Sequence, residues 1–193
     1  MDIKKHMTSN SSNKIPIIVA GALGKMGSEV IKTVVNSPEC ELIAAVETSV
    51  EDGTDVGSAL SIKNLSIETC SDFEATICNA SQLNRNDNYL RRPVLVDFTH
   101  PSVVYEHCRA AIAYGVNPVI GTTGLSINQL NDLAQFSDKA SVGAAVIPNF
   151  SVGMVLLQQA AAVAAAFYDH VELTELHHNQ KADAPSGTCI KTA

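Results

Sequence analysis

The seven residues Gly21-Ala22-Leu23-Gly24-Lys25-Met26-Gly27 restrict this chain more than any other part of it. They follow a short apolar block, Ile15-Pro16-Ile17-Ile18-Val19-Ala20, which reads as a buried strand. They open a stretch from Lys25 to Val35 in which Met26, Val30, Ile31, Val34 and Val35 recur at helical spacing, and Pro38 marks its end. Between a strand and a helix, Gly21 permits the tight turn, Gly24 lets phosphate oxygens approach bare backbone, and Gly27 lets the helix lie close on the sheet. The helix start then aims free N–H groups and the positive end of its dipole at a pyrophosphate. A glycine turn can also be purely structural. The flanking elements and Glu47, twenty residues after Gly27 and just past the apolar strand Glu41–Val46, favour a dinucleotide, with the carboxylate accepting from ribose hydroxyls. Thr48 and Ser49 follow Glu47 where a cation would welcome the extra phosphate of NADP, which tilts the reading toward NADH.

The pattern continues along the chain. Ser66–Thr69 reads as a short strand, Asp72–Ala80 as a short helix and Asn84–Asn88 as a loop. Val94–Asp97, Val116–Ile120 and Ser141–Ile147 read as strands, Ser102–Tyr114 and Ile127–Phe136 as helices. Alternation of this kind predicts an α/β fold, a doubly wound, Rossmann-like parallel sheet covered on both faces. Ligands of such sheets lie across the carboxyl ends of the strands, where this chain carries Asp97-Phe98-Thr99, Gly121-Thr122-Thr123-Gly124 and Pro148-Asn149-Phe150. Thr99 and the Gly121–Thr123 segment are therefore cofactor candidates; the competing reading is helix capping, by Thr99 before Pro101 or by Ser126.

Near Ser151 the grammar changes. An apolar helix, Val152–Tyr168, leads to His170–Leu176, which alternates like a half-exposed strand. Residues 15–150 are thus expected to form a dinucleotide-binding domain, with 151–193 beginning a smaller α+β domain behind a flexible tail, 1–14. The apolar helix is shorter than a membrane span and carries Gln158 and Gln159 centrally, so a buried helix is expected and no membrane partner. The net charge of -7 comes without a basic tract, which argues against nucleic acid. Five cysteines in no paired spacing, and a polar start without an apolar leader, point to a reduced, cytoplasmic chain.

The run Glu175-Leu176-His177-His178-Asn179-Gln180-Lys181-Ala182-Asp183-Ala184-Pro185-Ser186-Gly187-Thr188 concentrates the remaining chemistry. His177 and Lys181 suit proton donation near neutral pH, and Ser186-Gly187-Thr188 opens a helix whose backbone and hydroxyl donors suit a carboxylate. Zinc ligation lacks a third ligand at a sensible spacing, and a merely solvated loop leaves the clustering unexplained.

This run, with the glycine turn, Asp97-Phe98-Thr99, Gly121-Thr122-Thr123-Gly124 and Asn149-Phe150-Ser151-Val152-Gly153, resembles the 4-hydroxy-tetrahydrodipicolinate reductase family from Ile15 to the last residue. The resemblance implies reduction of a cyclic dicarboxylate by NADH or NADPH, with loss of water, in the diaminopimelate route to lysine. It implies catalytic roles for His177 and the proton donor Lys181, and substrate binding by His178, Gly187 and Thr188, which Ser186 accompanies. It also implies cofactor contacts from Gly21, Ala22, Leu23, Gly24, Lys25, Met26, Glu47, Gly121, Thr122, Thr123, Ile147, Pro148, Asn149 and Phe150, with no metal. Thr48 stands where some members carry an Arg for NADP, and a homotetramer is implied for full-length members. The family continues beyond a point equivalent to Ala193, so a truncated, poorly active chain is expected. A nucleotide-binding relative without catalysis and another nicotinamide-dependent dehydrogenase are the alternatives.

Overall fold

The computed structural model describes residues 13–86, 91–147, 149–177, 179 and 184–193. They divide into two compact units between Val146 and Ile147. The first unit holds strands β1 (Ile15–Ala20), β2 (Cys40–Val46), β3 (Thr69–Cys70), β4 (Val94–Asp97), β5 (Asn117–Ile120) and β6 (Ala145–Val146). Its helices are α1 (Lys25–Asn36), α2 (Val56–Ala59), α3 (Phe73–Asn86), α4 (Val104–Ala113) and α5 (Ile127–Ala140). All strand pairs are parallel, in the order β3-β2-β1-β4-β5-β6. The chain winds outward from β1 in one direction and then returns to its other side at β4. The carboxyl ends of β1 and β4 therefore meet at the reversal point where doubly wound sheets hold ligands.

Burial on both faces explains why β1 is apolar throughout rather than alternating. Ile18 and Ala20 pack with Ala44, Val46, Ile77, Leu95 and Ala111 on one face. Ile17 and Val19 pack with Ile31, Val34, Leu42, Ala45 and Val56 on the other. Helix α1 buries Gly27, Ile31 and Val34, three residues spaced four and three apart on the face toward the sheet. A third cluster of Val104, Cys108, Ile112, Ile120, Leu133 and Val142 joins α4, α5 and β5. Burial there pushes the Cys108 thiol up to about 12, with the charge of Asp97 adding to the shift. Ser126 caps α5 in a reciprocal capping box with Gln129.

Several expectations need correction. Helix α3 runs to Asn86, through the first three of the five residues read as a loop, so local polarity did not end it there. Helix α4 starts at Val104 with Val103 as its N-cap, so Thr99 is not a capping residue. The last strand of the unit is confined to Ala145–Val146, shorter than Ser141–Ile147.

The second unit contains α6 (Val152–Ala165) and α7 (Gly187–Thr192). Helix α6 buries none of its residues, and Leu156 and Val163 are 60% and 66% exposed, contrary to the expected buried helix. Apolarity on every side predicts burial only where neighbours surround the helix. Residues 170–176 are not a strand, because a strand is defined by partner hydrogen bonds and the described residues supply none. No helix among the described residues is long and apolar enough to cross a membrane.

Candidate functional site

The first site lies at the carboxyl ends of β1 and β4. Gly21 has φ +73°, and a Cβ there would sit 2.5 Å from the Phe98 carbonyl oxygen. A Cβ on Gly27 would sit 2.0 Å from the Gly21 carbonyl oxygen, so α1 reaches its depth on the sheet only with glycine at that position. Gly24 is the N-cap of α1, in extended conformation and with no side-chain capping bond, and the first turn carries no acidic residue. The first turn of α1 thus presents backbone donors with no acidic residue of its own, which suits a pyrophosphate. Ala22 is buried, while Lys25 and Met26 face outward from the first turn.

Glu47 closes the turn. Its Oε2 accepts from Leu23 N–H at 2.8 Å, and its Oε1 accepts from Thr48 N–H at 2.8 Å and Ser49 N–H at 3.0 Å. Burial alone raises the carboxyl's pKa. The N–H groups of Leu23, Ser49 and Thr48 outweigh that and hold it below the ordinary glutamate value. A carboxylate offers about four lone-pair sites, so acceptor capacity remains for ribose hydroxyls.

Asp97, at the end of β4, is fully buried. Its Oδ1 accepts from Thr99 N–H (2.9 Å), the Thr99 hydroxyl (2.7 Å) and the Thr122 hydroxyl (2.9 Å). Its Oδ2 lies 2.8 Å from His107 Nδ1. Burial pushes this carboxyl up, but the His107 and Thr99 hydrogen bonds bring it below the ordinary aspartate value. The His107 ring stacks on Phe73 at 3.8 Å between centroids. Gly121 lies under the Phe98 ring, where a Cβ would come within 2.1 Å of it. Thr123 is exposed. A cavity of about 350 Å³ is lined by Gly21, Glu47, Thr48 and Thr99 together with Ser71, Phe73, His100, Val103 and His107.

The second site lies within the second unit. A cavity of about 370 Å³ brings together Asn149, Glu175, His177, Ser186 and Thr188. Glu175 accepts from Ser186 N–H at 2.8 Å and from the Ser186 hydroxyl, while the same hydroxyl caps α7 by accepting from Cys189 N–H at 3.1 Å. His177 Nδ1 lies 3.6 Å from Glu175 Oε2. Asn149 Nδ2 donates to the Thr188 hydroxyl at 3.3 Å, and Gln158 reaches Thr192 at 2.8 Å. Gly187 is exposed, as is Phe150. Pro148, His178 and Lys181 lie outside the described residues. Ile147, Asn149 and Phe150 belong to the second unit, whereas the other cofactor candidates belong to the first. Among the described residues no cluster of three or more His, Cys, Asp or Glu could hold a metal ion.

Sequence reasoning assigned no role to Phe73, His107 or Glu175. Nothing local flags the first two, which lie 34 positions apart and meet only through the packing of α3 and α4. Glu175 carried a usable signal, an acidic residue two places before His177 in the same run.

Comparison with known proteins covers almost the whole chain. Residues 15–150 match the family model for dihydrodipicolinate reductase, N-terminus, and residues 153–193 that for dihydrodipicolinate reductase, C-terminus. The 4-hydroxy-tetrahydrodipicolinate reductase of Synechococcus sp. (strain CC9902) is 67% identical over 183 residues, covering 94% of this chain and 65% of that protein. Its counterpart from Prochlorococcus marinus is 65% identical, over 93% of this chain and 65% of that protein. Among solved structures, dipicolinate-bound dihydrodipicolinate reductase from Paenisporosarcina sp. TG-14 aligns with a TM-score of 0.67 and 34% identity, over 93% of this chain and 64% of that one. GenD2 from gentamicin A biosynthesis, in complex with NAD, shares the fold at a TM-score of 0.58 and 19% identity, over 83% of this chain and 42% of its own. The chain thus spans about 65% of the length of the curated relatives it matches.

Proposed function

This chain belongs to the dihydrodipicolinate reductase family, and from that premise we propose that it reduces 4-hydroxy-tetrahydrodipicolinate to tetrahydrodipicolinate with NADH or NADPH, in the diaminopimelate route to lysine. The observation that carries the reading is the uncapped start of α1 behind Gly21 and Gly24, at the sheet's reversal point, with Glu47 fixed beside it. Residues 15–150 are taken as the dinucleotide-binding domain and 151–193 as part of the substrate-binding domain.

The N–H groups of Gly21, Ala22, Leu23 and Gly24 bond within the chain, so the backbone donors of Lys25 and Met26 at the start of α1 hold the pyrophosphate that the glycines let approach, and Glu47 accepts from the adenosine ribose. Thr99, the Gly121–Thr123 segment and Ile147–Phe150 complete the cofactor contacts. The nicotinamide, when bound, supplies the hydride. His178, Gly187 and Thr188, with Ser186 held beside them by Glu175, bind the carboxylates of the cyclic substrate, a class to which the dipicolinate bound by the Paenisporosarcina relative belongs. His177 and Lys181 supply the proton that accompanies hydride addition and departure of water, so that substrate, reduced cofactor and one proton give product, oxidised cofactor and water. The chain acts on soluble small molecules in the cytoplasm, and homotetramers are the assembly of full-length members.

Two measurements test this. Calorimetric titration of the chain with NADH, NADPH and dipicolinate is expected to show saturable binding of each ligand. Loss of reduced-cofactor absorbance on adding substrate, in the protein and in its Lys181→Ala variant, tests the chemistry. Lys181→Ala should retain cofactor affinity while turnover falls at least about a hundredfold, in the range of a lost general acid. Unchanged turnover in the variant, or no cofactor binding by the parent, refutes the assignment.

A further inference from the structure

Glu175 closes the run that carries His177. It stands eleven positions before Ser186 and holds that residue at two atoms, Oε1 accepting from the Ser186 N–H at 2.8 Å and Oε2 bonded to the hydroxyl. Ser186 is buried and passes the hold on, because its hydroxyl oxygen also accepts from Cys189 N–H at 3.1 Å and its carbonyl from Ile190 N–H at 2.9 Å. The first turn of α7, with Gly187 and Thr188, is thereby tied to the segment of His177. The ring of His177 borders the same carboxyl, its Nδ1 lying 3.6 Å from Oε2, which is beyond hydrogen-bond reach. Apolar packing contributes little to this junction, since Leu176 and Ile190 are 91% and 64% exposed. The hydrogen bonds from Glu175 to Ser186 therefore do most to keep the two ends of the run together.

We propose that Glu175 is a positioning residue for the substrate, closing the run so that His177 stands at a fixed separation from Thr188 across the cavity of about 370 Å³ that all three line. The proposal rests on the reading of this cavity as the substrate site and adds what keeps it in shape. A run left open has to be ordered at the moment of binding, and that cost falls on affinity. Hydrogen-bond reach is what Glu175 supplies, and not charge, because a negative group in the same cavity opposes an anionic ligand. Glutamine preserves the reach. Its amide oxygen accepts from the Ser186 N–H, and its amide N–H donates to the Ser186 hydroxyl oxygen, whose second lone pair still serves Cys189. Aspartate keeps the charge but is one methylene shorter, about 1.5 Å, and does not reach.

The test is calorimetric titration of the chain with NADH, and then with dipicolinate at saturating NADH. Glu175→Ala and Glu175→Asp should each weaken dipicolinate binding at least about tenfold, the size expected when two hydrogen bonds that order a loop are lost, while NADH affinity stays within about twofold of the parent. Glu175→Gln should recover most of the loss. A merely structural role lowers the melting temperature of all three variants without ranking their affinities in this way. Parental affinity for dipicolinate in Glu175→Ala overturns the proposal and leaves the substrate site standing. Binding by Glu175→Gln as weak as that of Glu175→Ala also overturns it and assigns the effect to the charge. Absence of dipicolinate binding by the parent refutes the reading of the cavity itself, and this proposal with it. If Glu175→Ala does not fold, the comparison of Glu175→Gln with Glu175→Asp decides.

Discussion

Replacing Gly27 with alanine puts one methyl group where the structure has least room for it. The new carbon would lie 2.0 Å from the Gly21 carbonyl oxygen and 2.8 Å from its carbon, both backbone atoms. Ordinary contact distances are about 3.5 Å, so α1 or the turn must move by more than an ångström. Alanine is otherwise the better helix former, by about 1 kcal/mol. Overpacking against backbone costs about 1–3 kcal/mol, and lifting α1 also loosens Ile31 and Val34. The net expectation is a loss of about 1–2 kcal/mol, seen as a fall of about 2–8 °C in melting temperature for a domain of this size. Because the same movement displaces the donors at the start of α1, NADH affinity should drop about tenfold or more. Gly143→Ala is the control, since the nearest atom to its added carbon is 3.8 Å away. Thermal unfolding and calorimetric titration of both variants measure the two effects. A Gly27→Ala protein with unchanged melting temperature and affinity would refute the close-approach argument.

Two further outcomes follow from single side chains. Asp97 has a folded-state pKa below its ordinary value, so its stabilising contribution is complete above the unfolded value and is lost as pH falls through the folded one. Urea midpoints at pH 7 and pH 3 should therefore show the gap between the parent and Asp97→Asn narrowing in acid; a gap that widens contradicts the assignment. Ser126→Ala removes half of the capping box on α5 and should cost about 1 kcal/mol, read as a lower urea midpoint with unchanged slope.

The β1–turn–α1 unit was legible because its information is contiguous, an apolar run, three glycines and a helical stripe within Ile15–Asn36. Strand β3 was legible only as a short strand misplaced to Ser66–Thr69, and helix α2 was not legible at all. A two-residue strand has no periodicity, and α2 exists through the Asp55 side chain accepting from Ser58 N–H. Alternation misled at His170–Leu176, since a period of two describes a preference and not a partner. For the site, Glu47 could be read from its spacing to the turn, but what Asp97 holds could not. Thr122 and His107 reach it by way of β5 and α4, contacts between residues 25 and 10 positions apart that no local pattern encodes. What Ser186 does locally was not legible either, since its hydroxyl and N–H both go to Glu175, and the start of α7 is organised by a carboxylate of the chain itself.

Cys108 turns the core of the first unit into a clock. Its side chain is buried and its thiol is pushed up to about 12, so at pH 8 roughly one molecule in ten thousand carries the thiolate that alkylating reagents attack. Cys40, Cys70, Cys78 and Cys189 are all partly exposed. Alkylation of the folded protein therefore proceeds in two regimes, a prompt one at the four outer thiols and a slow one at Cys108. The slow rate counts the openings that part α4 from β5, reporting the lifetime of the nucleotide fold without any ligand.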